Sequence, residues 1–200
     1  MKSDIEERIF SQGFHAIGGI DEAGRGPLAG PVVAACCILP KSASFNKLND
    51  SKKLSPKQRE NLFLELNNTQ GVLYAIGVAS AKEIDEINIL QATFLAMQRA
   101  VDAMEILPDY LIIDGNKAPD FSIPNETIIG GDGRVPSIAA ASIIAKVTRD
   151  KMLCEMDEKW PEYGFKKHKG YGTKVHLEAI EKWGACQEHR MSFAPISKKL

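Results

Sequence analysis

Ile17-Gly18-Gly19-Ile20-Asp21-Glu22-Ala23-Gly24-Arg25-Gly26 joins an apolar run to two adjacent acids and a glycine loop. The apolar residues at 15–20 predict a short buried strand, and the β-branched run at 31–39 predicts a second strand beside it. A loop that contains several glycines and a proline separates the two runs. Asp21 and Glu22 are therefore expected at the C-terminal end of a buried strand.

The rest of the chain alternates between helix and strand patterns. Further strands are predicted at 71–79, from Tyr110 to Asp114 and at 126–129, and helices after Ser55-Pro56, from Asn88 to Leu107, at 137–159 and at 173–183. Early strands followed by alternating helices and strands predict an α/β protein in which helices flank one central mixed sheet.

Composition places the chain among ordinary folded proteins. Its 200 residues are 44% hydrophobic and 26% charged, which fits a single domain over residues 1–200 with a helix and loops from about 160 to 200. The formal net charge of -1 gives no overall attraction for nucleic acid. Such a partner has to be argued from local clusters of charge.

No feature of the sequence indicates secretion, a membrane or a disulfide framework. The N-terminal segment MKSDIEERIF is charged, and no apolar run approaches the roughly 18 residues that span a bilayer. The four cysteines include no C-x-x-C pair, and the adjacent Cys36-Cys37 have no evident role. We expect a cytoplasmic protein with reduced thiols, no membrane partner and, by default, a monomeric state.

Four acids follow buried strands or a glycine turn. Asp21 and Glu22 end the first strand, Asp114 ends a later one, and Asp132 lies in the turn at 130–133. Since successive strand residues face opposite ways, the doublet reaches one centre only if the backbone leaves strand geometry at about Glu22. Carboxylate oxygens are suitable ligands for Mg²⁺ or Mn²⁺. A pair of these ions can activate an attacking water and stabilise the leaving oxygen when a phosphodiester is hydrolysed. The plainer alternative is that these acids only solvate turns.

The glycine loop that follows the doublet has two interpretations. Gly24-Arg25-Gly26 is neither a Walker loop nor G-x-G-x-x-G, since Ala29 replaces the third glycine. It is either an ordinary turn or a place where backbone amides approach a sugar and phosphate closely. The histidines have no zinc-type spacing with the cysteines, and no G-x-S-x-G elbow is present.

Positive charge is concentrated locally. The segment 164–174 contains four lysines, a histidine and Tyr171 but no acid, and Lys52-Lys53 add two more cations. Ser142, Lys146 and Arg149 lie at i, i+4 and i+7 of the predicted long helix and form one polar stripe. These residues either solvate a surface or line a groove for a polyanion. Tyr171 either packs or stacks on a sugar or base.

Ordered motifs across nearly the whole chain resemble bacterial ribonuclease HII, the type 2 ribonuclease H. They are DEAGRGPLAGPVVAA at 21–35, NDSKKLS at 49–55, NILQAT at 88–93, IIDGN at 112–116, GDGRVPSIAAASIIAKVTRD at 131–150, GYGT at 170–173 and HRMSFAP at 189–195. The resemblance implies a ribonuclease H-like fold with a small helical C-terminal part. It also implies cleavage of RNA in RNA/DNA hybrids and incision 5′ to a single ribonucleotide in duplex DNA.

The resemblance also implies roles for individual residues. The metal-binding carboxylates of the family fall on Asp21, Glu22, Asp114 and Asp132. The loop formed by Gly24, Arg25 and Gly26 corresponds to the one that reads the ribose 2′-hydroxyl, and Tyr171 to the tyrosine that senses the junction between RNA and DNA. Phosphate contacts fall on Lys52, Ser142 and Lys146. Asp150 is rejected as the fourth carboxylate because an ordinary intrahelical or surface role suffices beside Arg149.

The predicted function is a nuclease that uses two Mg²⁺ or Mn²⁺ ions and leaves 5′-phosphate and 3′-hydroxyl ends, as needed to remove misincorporated ribonucleotides. Two other functions remain open on the sequence alone. One is a protein that binds hybrids without cutting them, whose acids only shape turns. The other is a metal nuclease of the same broad fold that acts on DNA junctions.

Overall fold

A five-stranded mixed sheet forms the centre of the molecule. The computed structural model describes residues 3–42, 45, 48 and 51–198, apart from the side chain of Lys52. The strands are β1 (Ile17–Ala23), β2 (Val32–Ile38), β3 (Leu73–Ala79), β4 (Tyr110–Asp114) and β5 (Asn125–Ile128), in the order β3-β2-β1-β4-β5. Strand β1 pairs antiparallel with β2 and parallel with β4. The predicted mixed sheet is confirmed.

Helices cover both faces of this sheet. The helices are α1 (Asp4–Ser11), α2 (Pro56–Asn68), α3 (Ala81–Asp102), α4 (Pro136–Lys159), α5 (Phe165–His168) and α6 (Lys174–Trp183). Helix α3 packs on one face, and α4 packs on the other beside α2. No helix among the described residues is long and apolar enough to cross a membrane.

The first half of α4 lies unusually close to β1. A Cβ atom added at Gly19 would stand 2.2 Å from the backbone carbon of Ser137, so only glycine permits this approach. Small buried alanines on α4, including Ala140 and Ala141, complete the contact with the sheet. The close packing brings the next polar residue of the helix, Ser142, to the end of β1.

Several predicted boundaries were wrong. The helix predicted from Asn88 to Leu107 ends earlier, at Asp102, and is the second part of α3, which begins at Ala81 and is interrupted at Asn88 with φ 66°. A first segment begins at Ala81 with a capping box between Ser80 and Glu83. Asn88 caps the second segment, since its side chain accepts from the backbone N–H groups of Leu90 and Gln91 at 3.0 and 3.2 Å. The short helices α1 and α5 were missed. Helix α5 has only four residues, whereas in α1 the apolar Ile5 and Ile9 at i and i+4 were a helical signal that was not used. The single domain over residues 1–200 stays a prediction.

The cysteine pair is explained by its position in β2. Adjacent strand residues face opposite ways, so Cys36 packs in the cluster under α3 and Cys37 in the cluster under α4. Burial raises the pKa of the Cys36 thiol to about 12 and that of Cys37 well above its usual value. Both thiols are free and act as small apolar groups.

The N-terminal cap of α3 makes the stability of the folded protein depend on pH. Arg99 and the backbone N–H of Ser80 donate to the Glu83 carboxylate, which lowers its pKa from 4.5 to about 2. The stabilisation is therefore present above about pH 4.5 and lost as pH falls towards 2. Glu83→Gln should lower the thermal midpoint at pH 7 by about 2–4 °C and leave it almost unchanged at pH 2. Thermal scans should show no comparable loss for the exposed Glu86→Gln, and an equal loss at both pH values would contradict the prediction.

Candidate active site

Asp21 and Asp114 meet where the parallel pair of strands ends. Ile20 of β1 lies opposite Ile113 of β4, so the next residue of each strand is an acid at the same edge of the sheet. Both acids follow residues that face α3, which turns their own side chains towards α4. The structure thus brings together two acids that are far apart in the sequence.

Asp21 is one of two buried acids of the group, with 5% of its surface exposed. Burial raises the pKa of its carboxyl well above the usual value, and the charges of Glu22 and Asp114 raise it further. Hydrogen bonds from the Ser142 hydroxyl and from the backbone N–H of Glu22, at 2.7 Å, act in the opposite direction. A desolvated carboxylate beside two others forms a site that a bound cation would stabilise.

Glu22 corrects one expectation about the strand. Strand β1 does not end at Glu22, because the ladder continues with Glu22 opposite Ala34 and Ala23 opposite Val33. The Glu22 carboxylate accepts from Arg25 Nη1 at 3.2 Å. It lines one groove together with Asp114 and another together with Asp21. Both acids of the doublet therefore border one groove although the backbone stays extended.

Asp132 lies in the turn Gly131–Gly133, which is attached to Asp114. The backbone N–H of Gly131 donates to Asp114 Oδ1 at 2.7 Å, and Asp132 itself is buried. Within the described ranges, no set of three or more His, Cys, Asp or Glu side chains stands in a geometry that could hold a metal ion. The donor chemistry nevertheless fits a hard divalent cation, since all four candidate ligands offer carboxylate oxygens.

The glycine loop and Tyr171 border the same groove as Asp21. Its lining includes Gly24, Arg25, Gly26 and Tyr171. A Cβ atom at Gly26 would stand 3.7 Å from the Tyr171 ring, whose residue is 49% exposed. The groups predicted to read the sugar thus lie next to the acids predicted to act on the phosphate.

The three residues predicted to contact phosphate differ in burial and in their partners. Ser142 is buried, and its hydroxyl is hydrogen-bonded to Ser51 at 2.8 Å and to Asp21. Lys146 lines the groove and pairs with Asp150 at 2.7 Å, which accounts for Asp150 as an intrahelical partner. The side chain of Lys52 lies outside the described residues, as do Asn49 and Asp50 of the same motif.

The helical spacing placed Arg149 in a polar stripe with Ser142 and Lys146, but Arg149 is not on a solvated surface. Its guanidinium is buried and donates to the carbonyls of Ala29, Pro31 and Lys169 at 2.9–3.1 Å. Burial lowers the pKa of this group to about 10. Gly24, with φ +100°, is required here, since a Cβ atom would stand 2.0 Å from Arg149 Nε. Arg149 packs against Gly24 and joins the segment after the glycine loop, at Ala29 and Pro31, to Lys169 before Tyr171.

Arg190 is a second buried arginine that the sequence did not single out. It donates to the carbonyls of Gly24, Arg25 and Gly30, with Nε–O and Nη1–O distances of 3.0 and 2.9 Å to Gly30 and Arg25. Its pKa is lowered to about 9 by burial and by the charge of Arg149. These hydrogen bonds tie the glycine loop and Gly30 to Arg190. Its place in the HRMSFAP motif at 189–195 was the feature of the sequence that could have identified it.

Comparison with known proteins decides the family. A model of the family described as ribonuclease HII matches residues 18–196. The ribonuclease HII of Endomicrobium trichonymphae is 54% identical over 194 residues, which cover 96% of this chain and 92% of that protein. The chain belongs to the ribonuclease HII family. A ribonuclease HII is a ribonuclease H, so the predicted endonuclease activity on RNA/DNA hybrids is confirmed.

Solved structures confirm the predicted ribonuclease H-like fold of this ribonuclease HII. The crystal structure of ribonuclease H2 from Pyrococcus horikoshii OT3 superposes with a TM-score of 0.74 at 26% identity, covering 92% of this chain and 96% of that chain. Bst-RNase HIII, solved in complex with Mn²⁺, superposes with a TM-score of 0.68 at 18% identity and covers 92% of this chain and 68% of that one. The second likeness concerns the fold alone.

Proposed function

We propose that this ribonuclease HII incises duplex DNA 5′ to a single embedded ribonucleotide, leaving 5′-phosphate and 3′-hydroxyl ends, and so removes misincorporated ribonucleotides. One observation carries the proposal. The glycine loop and Tyr171 line the same groove as Asp21 and Glu22. A sugar read by the loop would therefore place its neighbouring phosphate at the acids.

Asp21, Glu22, Asp114 and Asp132 are proposed to hold Mg²⁺ or Mn²⁺. The raised pKa of Asp21 supports this, because a cation would offset the repulsion from Glu22 and Asp114. When bound, two such ions would polarise the phosphodiester and lower the pKa of the attacking water. The fold neighbour Bst-RNase HIII was solved with Mn²⁺, which is compatible with either ion for an all-oxygen donor set.

The remaining residues are proposed to bind and orient the strand. Backbone amides of Gly24, Arg25 and Gly26 would approach the ribose 2′-hydroxyl, the chemical group that distinguishes RNA from DNA. Lys146 would contact a phosphate together with Lys52 and Ser142.

Tyr171 offers a half-exposed ring on which the sugar or base at the junction would stack. Such contacts depend on the sugar and the backbone, so the enzyme should tolerate any base sequence.

We further propose that it acts as a cytoplasmic monomer and that nucleic acid is its partner.

The proposed function is tested with three labelled duplexes of one sequence: all DNA, DNA with one ribonucleotide, and an RNA/DNA hybrid. Incision in Mg²⁺ or Mn²⁺ is expected 5′ to the lone ribonucleotide and within the hybrid RNA, with none in the DNA duplex. EDTA should abolish both reactions. Binding without cleavage in either metal would indicate a hybrid-binding protein, and cutting of DNA junctions alone would indicate a junction nuclease. Either outcome contradicts the proposal.

A further inference from the structure

Three histidines with no informative spacing in the sequence come together behind Tyr171. His176 and His189 are fully buried, and their Nε2 atoms lie 3.1 Å apart. The ring of His168 stacks on that of His176, with centroids 4.4 Å apart and an angle of 18° between the planes. The rings of Tyr163 and Phe165 enclose the group. Buried imidazoles in contact require a definite arrangement of protons.

The hydrogen bonds determine that arrangement. The carbonyl of Tyr171 can only accept, so His176 Nδ1, at 2.9 Å, carries a proton. Burial lowers the pKa of both rings to about 4, so each is neutral at pH 7 and carries one N–H. His176 Nε2 is then an acceptor, and the proton between the rings belongs to His189 Nε2. His189 Nδ1 then has no proton and accepts from the backbone N–H of Cys186 at 3.0 Å, with the Cys186 thiol as a second donor at 3.2 Å. The Cys186 carbonyl, at 3.3 Å, is a neighbour of this nitrogen and receives no proton from it.

We propose that this relay, from Cys186 N–H through His189 and His176 to the Tyr171 carbonyl, positions Tyr171 for its role in selecting the ribonucleotide. The proposal rests on the function proposed above for Tyr171. Because the Tyr171 side chain is half exposed, its orientation depends on its backbone. That backbone donates to the carbonyl of His168 at 3.0 Å and accepts from Thr173 at 2.8 Å in addition to His176.

The relay also contacts the segment that follows the glycine loop. His189 pairs with Ala29 in an isolated antiparallel bridge, and the flanking Glu188 carbonyl accepts from Gly30 at 2.8 Å. On the other side, the Gly170 carbonyl accepts from Leu28 at 2.8 Å. The segment after Gly26 is therefore held between His189 and the residue that precedes Tyr171. The histidines act as positioning residues that touch no substrate.

Two substitutions of His176 separate the relay from simple packing. In His176→Asn the side-chain amide can stand near the position of Nδ1 and still donate to Tyr171. In His176→Gln the longer amide reaches the position of Nε2, faces His189 and leaves the Tyr171 carbonyl without this donor. Glutamine should lower kcat/KM for the lone ribonucleotide, relative to the hybrid, by roughly fivefold to tenfold. Asparagine should keep the ratio within about twofold.

The ratio is measured also in Tyr171→Ala and in the double variant, with the exposed His15→Gln as the matched control. If the relay acts through Tyr171, His176→Gln changes nothing further once the ring is absent. An unchanged ratio in Tyr171→Ala would remove the proposed role of Tyr171. A changed ratio there with an unchanged ratio in His176→Gln would overturn the relay alone.

Nitrogen-15 NMR of the unaltered protein at pH 7 tests the relay without any variant and without activity. Long-range imidazole correlations should show a proton on Nδ1 of His176 and on Nε2 of His189. The opposite tautomers, or a charged ring in either residue, would overturn the proposal even if a substituted protein failed to fold.

Discussion

Asp21→Asn is expected to reduce cleavage of both hybrid and single-ribonucleotide substrates by at least about 10²–10³-fold while the protein stays folded. Asparagine has the shape of aspartate but loses the charge and one anionic oxygen, so a bound divalent cation would be held weakly. The thermal midpoint in EDTA should stay equal or rise, because the substitution removes a buried charge that Glu22 and Asp114 repel. Substrate binding should be retained.

Cleavage rates, thermal scans and binding of the hybrid in EDTA check each part of this prediction. The matched control is Asp102→Asn at the exposed end of α3, which should leave all three quantities unchanged. Near-full activity in Asp21→Asn would remove Asp21 from the site. A large fall in the midpoint would instead show that Asp21 holds the fold together and would leave the loss of activity without a specific cause.

Much of the sheet could be predicted because its signals are local. Apolar runs that end in an acid, such as the one before Asp114, gave both a strand and the position of its carboxylate at one edge. The convergence of Asp21 and Asp114 then follows from the parallel pairing of β1 with β4. What this reasoning could not give is the path of the Glu22 side chain, since strand geometry alone sends it to the opposite face.

The parts that could not be predicted depend on contacts between distant segments. Glu6 of the missed helix α1 accepts from the backbone N–H of Ser137 across 131 residues and so caps α4. The pairing of His176 with His189 and the inward turn of Arg149 also need the finished fold. A helical period gives the face of a residue such as Arg149. It does not say whether another loop will cover that face.

Arg190→Met is expected to lower the free energy of unfolding by about 3–5 kcal/mol. The buried carbonyl of Gly30 and the partly buried carbonyls of Gly24 and Arg25 would each lose a donor, at about 1–3 kcal/mol for each group. Arg190→Lys should be nearly as damaging, because one ammonium cannot reproduce the planar fork that reaches all three carbonyls. Urea unfolding measures both.

Arg8→Met is the matched control for this prediction, since Arg8 forms a half-exposed pair with Glu126 and should change stability by less than about 1 kcal/mol. In whatever fraction of Arg190→Met stays folded, the preference for a ribonucleotide over DNA should fall, because the loop that would read the 2′-hydroxyl is no longer fixed. Stability of Arg190→Met within about 1 kcal/mol of the unaltered protein would contradict the stabilising role of the hydrogen bonds from Arg190. A large loss of stability, with an unchanged preference for a ribonucleotide in the fraction that stays folded, would mean that Arg190 stabilises the loop without setting its geometry.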